Sequence, residues 1–364
     1  MNIGSLHLKN PVFLAPMAGI TDLPFRTIVR SFGCGLAFTE MVSATGMMRR
    51  SEKTFRYLIS TPEDRPLGVQ LFGNDPETLA AAARVAEERG ADLLDINMGC
   101  PVKKVVKSGS GAALMREPAR AAAILRAVRK ASALPLTVKI RAGWSARQVN
   151  ALEIGEMAQE CGADAVILHP RTADQGFGGR SDWGLIAALR ERLRVPVIGS
   201  GDIRCPADAD RMFRETGCDG VMVARGVLGN PWLIGNILWH LSGTGVSAPS
   251  LSDREEIICR HLALAIDFYG EQVGTRDFRK HLLWYTKGLR DGARFRRTAG
   301  GICDRDSARE ALRSYFLHLT EPVADSPGDG CGTGGEGVET PRETDVTLSE
   351  DPPLSDPYCD EIRS

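Results

Sequence analysis

Eight short apolar runs alternate with Ala-rich stretches of helical length up to about residue 240, and this alternation constrains the fold more than any other feature. Runs that are apolar throughout, bounded by stretches of helical period, are typical of a parallel sheet covered on both faces. Eight such repeats predict a closed (β/α)8 TIM barrel rather than an open doubly wound sheet. The runs are Val12–Ala15, Leu36–Glu40, Gly68–Leu71, Leu93–Asn97, Leu136–Ile140, Ala165–His169, Pro196–Gly199 and Gly220–Ala224.

Side chains capable of chemistry cluster at or just after the C-terminal ends of these runs. All strand C-termini of a barrel meet at one face, whereas an open sheet gathers only the loops near its switch point. The sequence therefore predicts a single pocket at this face of the barrel. The residues concerned are Pro16, Met17, Ala18, Gln70, Asn97, Cys100, Lys139, His169, Arg171, Ser200, Gly201, Asp202, Ala224 and Arg225.

Two glycine-flanked turns, Gly199-Ser200-Gly201 and Ala224-Arg225-Gly226, follow the seventh and eighth runs. TIM barrels frequently bind phosphate at this position. Glycine lets backbone N–H groups approach the phosphate oxygens, and Arg225 can add a charge-assisted contact. Either turn alone could simply be tight, but the two together favour a phosphorylated ligand.

Lys139 lies at the C-terminal end of the fifth run and is expected to point into the barrel mouth, where a cation needs a compensating anion. Two roles suit it: a Schiff-base lysine, or a cation beside an electron-rich cofactor ring. Gln70 can donate and accept hydrogen bonds in one plane, as the pyrimidine edge of a flavin requires. Together with the phosphate turns, this pair favours FMN over pyridoxal phosphate.

Cys100 lies in the turn Asn97-Met98-Gly99-Cys100-Pro101. The other eight cysteines are expected to be mostly buried packing residues, and no cysteine spacing indicates a disulfide framework or a metal site. Gly99 and Pro101 predict a sharp bend at a strand end, and loops on a rigid scaffold commonly carry function. Cys100 is therefore the candidate catalytic residue.

From about Leu251 the pattern becomes purely helical, so we expect a barrel domain over residues 1–245 and a helical domain over residues 250–320. Ser252 and Glu255 have the spacing of a capping box, and a last helix is predicted over Ser307–Leu319. On a helical wheel, the segment Arg276–Arg290 has a basic stripe opposite an apolar side. The stripe contains Arg276, Arg279, Lys280, Lys287 and Arg290; the apolar side contains Phe278, Leu282, Tyr285 and Leu289, and Leu283 is the exception.

The charge is unevenly distributed along the chain. Residues 321–364 carry twelve acidic residues against two Arg, a net charge of −10, so the remainder carries +9 although the whole chain carries −1. A basic folded part suggests a polyanionic partner, and the acidic tail is expected to be disordered. No apolar segment approaches the roughly 18 residues of a membrane helix, and no signal peptide is recognisable. We therefore expect a cytoplasmic protein that does not associate with membranes.

These motifs together resemble those of the tRNA-dihydrouridine synthases, and among them the bacterial B-type. The resemblance covers residues 1 to about 320 and is most specific in the Asn-x-Gly-Cys-Pro turn. Two small departures are Pro170, where many members have glycine, and Ser200, where the family turn begins with asparagine. The matching segments are Ala15–Asp22, Gly68–Leu71, Asp95–Pro101, Leu136–Trp144, His169–Thr172, Gly199–Asp202 and Asp219–Pro231.

The resemblance implies that FMN, reduced by NADPH or NADH, passes hydride to carbon six of a uracil ring while a cysteine protonates carbon five. Cys100 would be that acid, Asn97 and Arg171 would lie near the uracil, and His169 would lie between flavin and substrate. It also implies a D-loop uridine as the target and a tRNA-gripping role for the helical domain; we expect a monomer. The flavin would be held by Pro16, Met17, Ala18, Gln70, Lys139, Ser200, Gly201, Asp202, Ala224 and Arg225.

Two other functions are compatible with parts of the sequence. A flavin barrel that reduces a free small molecule, such as a dihydroorotate-type or ene reductase, would explain the flavin motifs but not the basic helical segment. A non-enzymatic RNA-binding protein on a degenerate barrel would explain the charge but would leave Cys100 and Lys139 without a role.

Overall fold

The computed structural model describes residues 1–321, in which eight parallel strands close into a barrel. Each strand pairs in parallel with the next, and the last pairs with the first, so the ring has no open edge. The predicted TIM barrel is confirmed. The strands are β1 (Val12–Leu14), β2 (Leu36–Phe38), β3 (Leu67–Phe72), β4 (Leu93–Met98), β5 (Leu136–Arg141), β6 (Ala165–His169), β7 (Val197–Ser200) and β8 (Gly220–Val223).

Helices follow the barrel strands and cover the outside of the ring, and four more form the C-terminal part. Several begin at a residue that caps the helix: the Asp22, Asp75 and Asp182 carboxylates each accept a backbone N–H of the first turn. The helices are α1 (Leu23–Arg30), α2 (Ala44–Met48), α3 (Glu52–Arg56), α4 (Pro76–Glu88), α5 (Lys103–Lys107), α6 (Pro118–Ala131), α7 (Ala151–Glu160), α8 (Trp183–Arg192), α9 (Pro206–Thr216), α10 (Trp232–Ser242), α11 (Leu251–Tyr269), α12 (Glu271–Tyr285), α13 (Gly292–Thr298) and α14 (Arg305–Thr320).

The barrel interior is apolar at the N-terminal end of the strands. Phe13, Phe38 and Ile167 form part of a fully buried cluster there. An antiparallel hairpin of Asn2–Ile3 with Leu6–His7 contributes Ile3 to this cluster. The hairpin therefore closes the N-terminal end of the barrel, and polar side chains are left for the opposite end.

The helical domain has its own core, which continues onto the barrel. Phe278, Leu282 and Tyr285 of α12 are buried, as the wheel predicts, and Tyr285 packs edge-on against Trp232 of α10. A Cβ at Gly229, after β8, would lie 2.3 Å from the Trp284 carbonyl carbon. Only glycine lets the two backbones approach this closely.

Two predictions for the helical domain are corrected. The capping box is formed by Ser250 and Asp253, not by Ser252 and Glu255, so α11 begins at Leu251. Helix α12 ends at Tyr285, three residues before Gly288, whose positive φ of 80° cannot continue a right-handed helix. Lys287 and Arg290 therefore do not lie on the same helix as Arg276.

Some features lie outside the strand and helix pattern. Val42–Ser43 forms a short strand beside β3, and Gly143–Ser145 pairs with Gln148–Val149 in a small hairpin after β5. None of the helices between residues 1 and 321 has both the length and the apolar character needed to cross a membrane. The predicted acidic tail lies outside the described residues apart from Glu321.

Candidate active site

A chain of hydrogen bonds crosses three neighbouring strands at the C-terminal end of the barrel. The Thr137 hydroxyl donates to Asp95 Oδ1 at 2.7 Å, and Gln70 Nε2 donates to Asp95 Oδ2 at 2.7 Å. Asn97 Nδ2 in turn donates to Gln70 Oε1 at 2.8 Å. All four side chains are buried. Register explains the arrangement, since Gln70, Asp95 and Thr137 are directly paired across β3, β4 and β5.

The chain of hydrogen bonds ends at the cysteine turn. Asn97 Oδ1 accepts from the backbone N–H of Gly99 at 3.1 Å and of Cys100 at 2.9 Å. The Cys100 carbonyl accepts from the Ala112 N–H at 2.9 Å, which fixes the far side of the turn. Cys100 is half-buried. The barrel interior therefore determines where its thiol lies.

Charged groups surround this turn. Burial lowers the pKa of Lys139 below its usual value, and neighbouring Arg141 lowers it further, while Asp95 and Cys100 act in the opposite direction. Burial raises the pKa of the Asp95 carboxyl, against the hydrogen bonds from Gln70 and Thr137. The charge of the Asp95 carboxylate therefore favours the protonated form of Lys139, which lies partly buried in the mouth.

Arg141, which the sequence analysis did not single out, connects the cysteine turn to the loop after β6. Its guanidinium donates to the Gly99 carbonyl at 2.8 Å, to Thr172 at 2.9 Å and to Gly176 at 2.8 Å. Burial lowers its pKa to about 10, so it stays charged at neutral pH. The signal was available: on β5, Arg141 lies two residues after Lys139 and so shares its face.

His169 is neutral and has an unpartnered ring nitrogen. Its Nδ1 lies 3.3 Å from the Ser200 carbonyl oxygen, so Nδ1 carries the proton and Nε2 is left as an acceptor. Burial, with Lys139, Arg141 and Arg171 nearby, lowers its pKa to about 2. His169 Nε2 is buried without a hydrogen-bond partner, and a buried orphan of this kind indicates a ligand or water.

The turn after β7 is built for close contact. Gly201 has φ +114°, and a Cβ there would lie 2.5 Å from Ser181 Oγ and 2.8 Å from His169 Nδ1. Asp202 follows in a left-handed conformation. The Ser200 hydroxyl donates to the Met222 carbonyl at 3.1 Å and so ties β7 to β8.

The Arg171 guanidinium is engaged by the protein itself. It donates to both Asp202 carboxylate oxygens at 2.9 Å, to Ser181 Oγ at 2.9 Å and to the Gly178 carbonyl at 3.0 Å. Only 1% of its surface is exposed. The geometry thus supports a role in ordering the loop over residues 172–182 more than the predicted direct contact with a substrate ring.

That loop presents an aromatic ring which the sequence analysis missed. Phe177 is 55% exposed, and its ring centroid lies 4.8 Å from the Arg225 guanidinium and 5.5 Å from that of Arg141. Arg225 is half exposed, with Nη2 3.9 Å from Asp202 Oδ1. Local sequence gave no signal for Phe177, because the loop has no period that predicts a direction for its side chains.

The loops after β1 and β2 form the opposite side of the mouth. The Met17 N–H donates to Thr21 Oγ1 at 3.0 Å, and the Gly19 N–H donates to the Glu40 carboxylate. Glu40 was also missed; its pKa is raised to about 7, chiefly by burial. Pro16 and Met17 are partly buried, whereas Ala18 is exposed. The predicted residues of this segment therefore lie at the C-terminal end of β1.

The five basic residues of the predicted stripe do not form one surface. Arg279 donates to the Ile302 carbonyl at 3.1 Å through Nε, and Arg290 donates to the carbonyls of His318 and Glu321. The charge of Lys280 acts on Asp22 and Glu40 of the barrel. The predicted stripe is therefore wrong as a continuous face, because two of its members bind backbone carbonyls. Arg276 and Lys287 are exposed.

Among residues 1–321, no group of three or more His, Cys, Asp or Glu side chains could hold a metal ion.

Residues 13–320 match the family described as Dihydrouridine synthase (Dus). A protein of Rickettsia prowazekii named Probable tRNA-dihydrouridine synthase is 38% identical over 323 residues, which cover 88% of this chain and 99% of the relative. The tRNA-dihydrouridine synthase B of Pasteurella multocida is 40% identical over 318 residues, 87% of this chain and 96% of the relative.

Solved structures share the fold at low identity. Histamine dehydrogenase from Rhizobium sp. 4-9 matches 72% of this chain with a TM-score of 0.51 and 16% identity, and a 2-naphthoyl-CoA reductase matches 67% with a TM-score of 0.51 and 12% identity. This chain spans 50% and 51% of those two chains. At that identity the likeness concerns the fold alone. The sequence match over nearly all the described residues decides the relationship: the chain belongs to the dihydrouridine synthase family.

Proposed function

We propose that this protein reduces a D-loop uridine of tRNA to 5,6-dihydrouridine, with FMN as hydride carrier and NADPH as reductant. Membership of its family makes it a flavin-dependent tRNA-dihydrouridine synthase. The observation that carries the catalytic part of the proposal is the pair of hydrogen bonds from the Gly99 and Cys100 N–H groups to Asn97. Among the cysteines of residues 1–321, it makes Cys100 the one whose backbone is held by the polar side chains of the barrel mouth.

Cys100 is proposed as the general acid. Saturating the uracil double bond needs a hydride at carbon six, which a reduced flavin supplies when bound, and a proton at carbon five. The Cys100 thiol would give that proton and become a thiolate, which water then reprotonates. Arg141 and Lys139 interact electrostatically with Cys100, so their positive charges would stabilise the thiolate after proton transfer.

The residues at the ends of β6, β7 and β8 fit a flavin phosphate and ring. Gly201 leaves room where any Cβ would meet His169 and Ser181, and the orphaned His169 Nε2 offers an acceptor into the pocket. The first N–H groups of the 3₁₀ turn Arg225–Val227 have no acceptor within it, and Arg225 adds a charge for a phosphate. We assign FMN to these residues together with Pro16, Met17, Ala18, Gln70, Lys139, Ser200, Asp202 and Ala224.

The substrate side of the pocket is proposed to lie over the cysteine turn. Asn97 and Arg171 are the candidates for orienting the uracil, Arg171 through the loop that it orders. A uridine in folded tRNA must leave its stack to reach a barrel mouth, which costs a few kcal/mol. Contacts between the helical domain, residues 250–320, and tRNA phosphates would offset that cost. Of the five residues of the predicted basic stripe, Arg276 and Lys287 are the exposed candidates.

The decisive experiment is turnover by the purified protein. We expect a yellow protein that oxidises NADPH and forms dihydrouridine on unmodified tRNA. Cys100→Ala should retain flavin and its reduction by NADPH while losing dihydrouridine formation. A protein that cannot be loaded with FMN, or a Cys100→Ala variant with normal product formation, would refute the corresponding part of the proposal.

The alternative of a flavin reductase for a free small molecule is not supported, because the relatives are named for tRNA modification over matching lengths. Mapping dihydrouridine in tRNA from cells that lack the gene identifies the target uridine.

We propose in addition that the enzyme acts as a monomer in the cytoplasm. Sedimentation of the tRNA-free protein would test the monomeric state, and cell fractionation would test the location.

A further inference from the structure

A cleft of about 250 Å³ adjoins the cysteine turn. Its lining begins at Pro101, the residue after Cys100, and continues along α5 to the loops after β5 and β6. Binding pockets for drug-sized ligands measure about 300–1,000 Å³, so this cleft suits a single ring system. The lining consists of Pro101, Lys103, Val106, Lys107, Trp144, Ala173 and Asp174.

Trp144 supplies the aromatic wall of the cleft. The Arg116 guanidinium lies 4.3 Å from its ring centroid but does not line the cleft, so it supports the indole from outside. The Asp174 N–H donates to the Trp144 carbonyl at 3.1 Å, and the Ala173 N–H donates to the Gly143 carbonyl at 2.9 Å. Two walls of the cleft are therefore held together by backbone hydrogen bonds, and the Arg116 guanidinium packs against the indole.

Two lysines give the cleft its charge. Lys103 and Lys107 are both exposed and lie four residues apart on α5, and therefore on one face of that helix. Lys104 is also exposed but does not line the cleft. Asp174 is the one carboxylate of the lining, and the Thr172 hydroxyl donates to it at 2.5 Å. A planar apolar wall with cations at its rim is the chemistry that binds a single-stranded nucleotide.

We propose that this cleft binds the nucleotide of tRNA next to the uridine that is reduced, with its base against Trp144 and its phosphate at Lys103 and Lys107. The inference rests on the proposed function, because it requires a uridine over Cys100. Since Pro101 joins the cleft to the cysteine turn, a strand that delivers one base to Cys100 brings its neighbour to the cleft. Holding that neighbour would keep the target out of its stack.

The test combines protein variants with altered tRNA. Dihydrouridine formation is measured for wild type, Trp144→Ala and Trp144→Phe, on unmodified tRNA and on tRNA lacking the base on either side of the target uridine. Base stacking on an aromatic side chain predicts about a tenfold rise in KM for Trp144→Ala. The wild-type protein should show the same rise in KM on one of the two abasic tRNAs. Trp144→Ala should cause no further rise on that tRNA, because both changes remove the same stacking contact. Trp144→Phe should stay near wild type.

The lysines are tested by salt dependence. Lys103→Gln with Lys107→Gln should weaken tRNA binding and reduce its dependence on salt by about one phosphate contact, whereas Lys104→Gln should change neither. Trp239→Ala, an exposed tryptophan on α10, is the matched control for Trp144→Ala. Flavin content and NADPH oxidation without tRNA report whether each variant is folded.

Two results would overturn the proposal. The first is a wild-type KM in Trp144→Ala. The second is a rise in KM from Trp144→Ala that multiplies with the rise caused by each of the two abasic tRNAs. The abasic tRNAs act on the wild-type protein, so a variant that folds poorly does not hide the answer. Failure of the proposed function looks different, because wild type would then form no dihydrouridine on intact tRNA.

Discussion

The side-chain oxygen of Asn97 lies 2.9 Å from the Cys100 backbone nitrogen and accepts its hydrogen bond, while the Asn97 amide donates to Gln70 at 2.8 Å. One side chain thus links the cysteine turn to the buried polar residues of β3, β4 and β5. The position of the turn depends on the barrel, and small displacements of a catalytic group are costly in rate.

Asn97→Ala should therefore slow dihydrouridine formation by roughly ten- to a hundredfold. The Cys100 thiol is still present in this variant, but its turn is less well positioned. Asn97→Asp keeps the acceptor for the Gly99 and Cys100 N–H groups and should lose less. Single-turnover rates at saturating tRNA, with flavin content measured in parallel, separate the two variants. Equal rates for Asn97→Ala and wild type would show that the turn holds itself.

Gly201→Ala should reduce flavin binding as well as stability. The residue needs φ +114°, and the new Cβ would meet Ser181 and His169, so we expect a loss on the order of 1–3 kcal/mol together with displacement of His169. Gly217→Ala is the matched control, because φ there is +62° with nothing within 4 Å of the added carbon. It should cost about 1 kcal/mol from backbone strain alone and leave the flavin absorbance per protein unchanged. Equal flavin loss in both variants would contradict the assignment.

Glu40 should make stability depend on pH. Burial, with a smaller contribution from Asp22, raises its pKa from 4.5 to about 7, against the Gly19 hydrogen bond and the charges of Lys280 and Arg26. The folded protein binds this proton more tightly than the unfolded chain does. The stabilisation is thus complete below about pH 4.5 and is lost as the pH rises through about 7, by on the order of 3 kcal/mol.

Glu40→Gln removes that titration while keeping an acceptor for the Gly19 N–H. Denaturant unfolding at about pH 5 and about pH 8 should show a smaller fall in the free energy of unfolding for the variant than for wild type. The exposed Glu77, changed to Gln, should leave the wild-type pH dependence unaltered. The prediction fails if all three proteins lose the same free energy between the two pH values.

Substitution of Arg279 should affect stability, whereas substitution of Arg276 should affect tRNA binding. Arg279 donates to the Ile302 carbonyl, so Arg279→Gln should lower the free energy of unfolding by about 1–2 kcal/mol. The Arg276 side chain is 66% exposed, so Arg276→Gln should change stability by less than about 0.5 kcal/mol. If Arg276 contacts a phosphate, tRNA affinity in Arg276→Gln falls and its salt dependence decreases by about one contact. An unchanged salt dependence would remove Arg276 from the interface.

Lys139 and Arg141 show which site residues hydrophobic periodicity can predict. Lys139 lies within the predicted run Leu136–Ile140, near its C-terminal end, whereas Arg141 lies just past that end, although strand alternation gives both the same face. Its partners, the carbonyls of Gly99, Thr172 and Gly176, are distant in sequence. No local pattern reports a contact across that separation.

Sequence alone determined the eight strands, the closed barrel and the face that carries the chemistry, because burial on both sides of a parallel sheet imposes a pattern on each strand separately. It also located the cysteine turn. Only the tertiary structure decided that Arg171 orders a loop, that Arg279 and Arg290 bind carbonyls, and that Trp144 meets α5 in a cleft beside Cys100. A charged side chain is compatible with water, an anion or a buried carbonyl, and which of these it meets depends on segments far away in the chain.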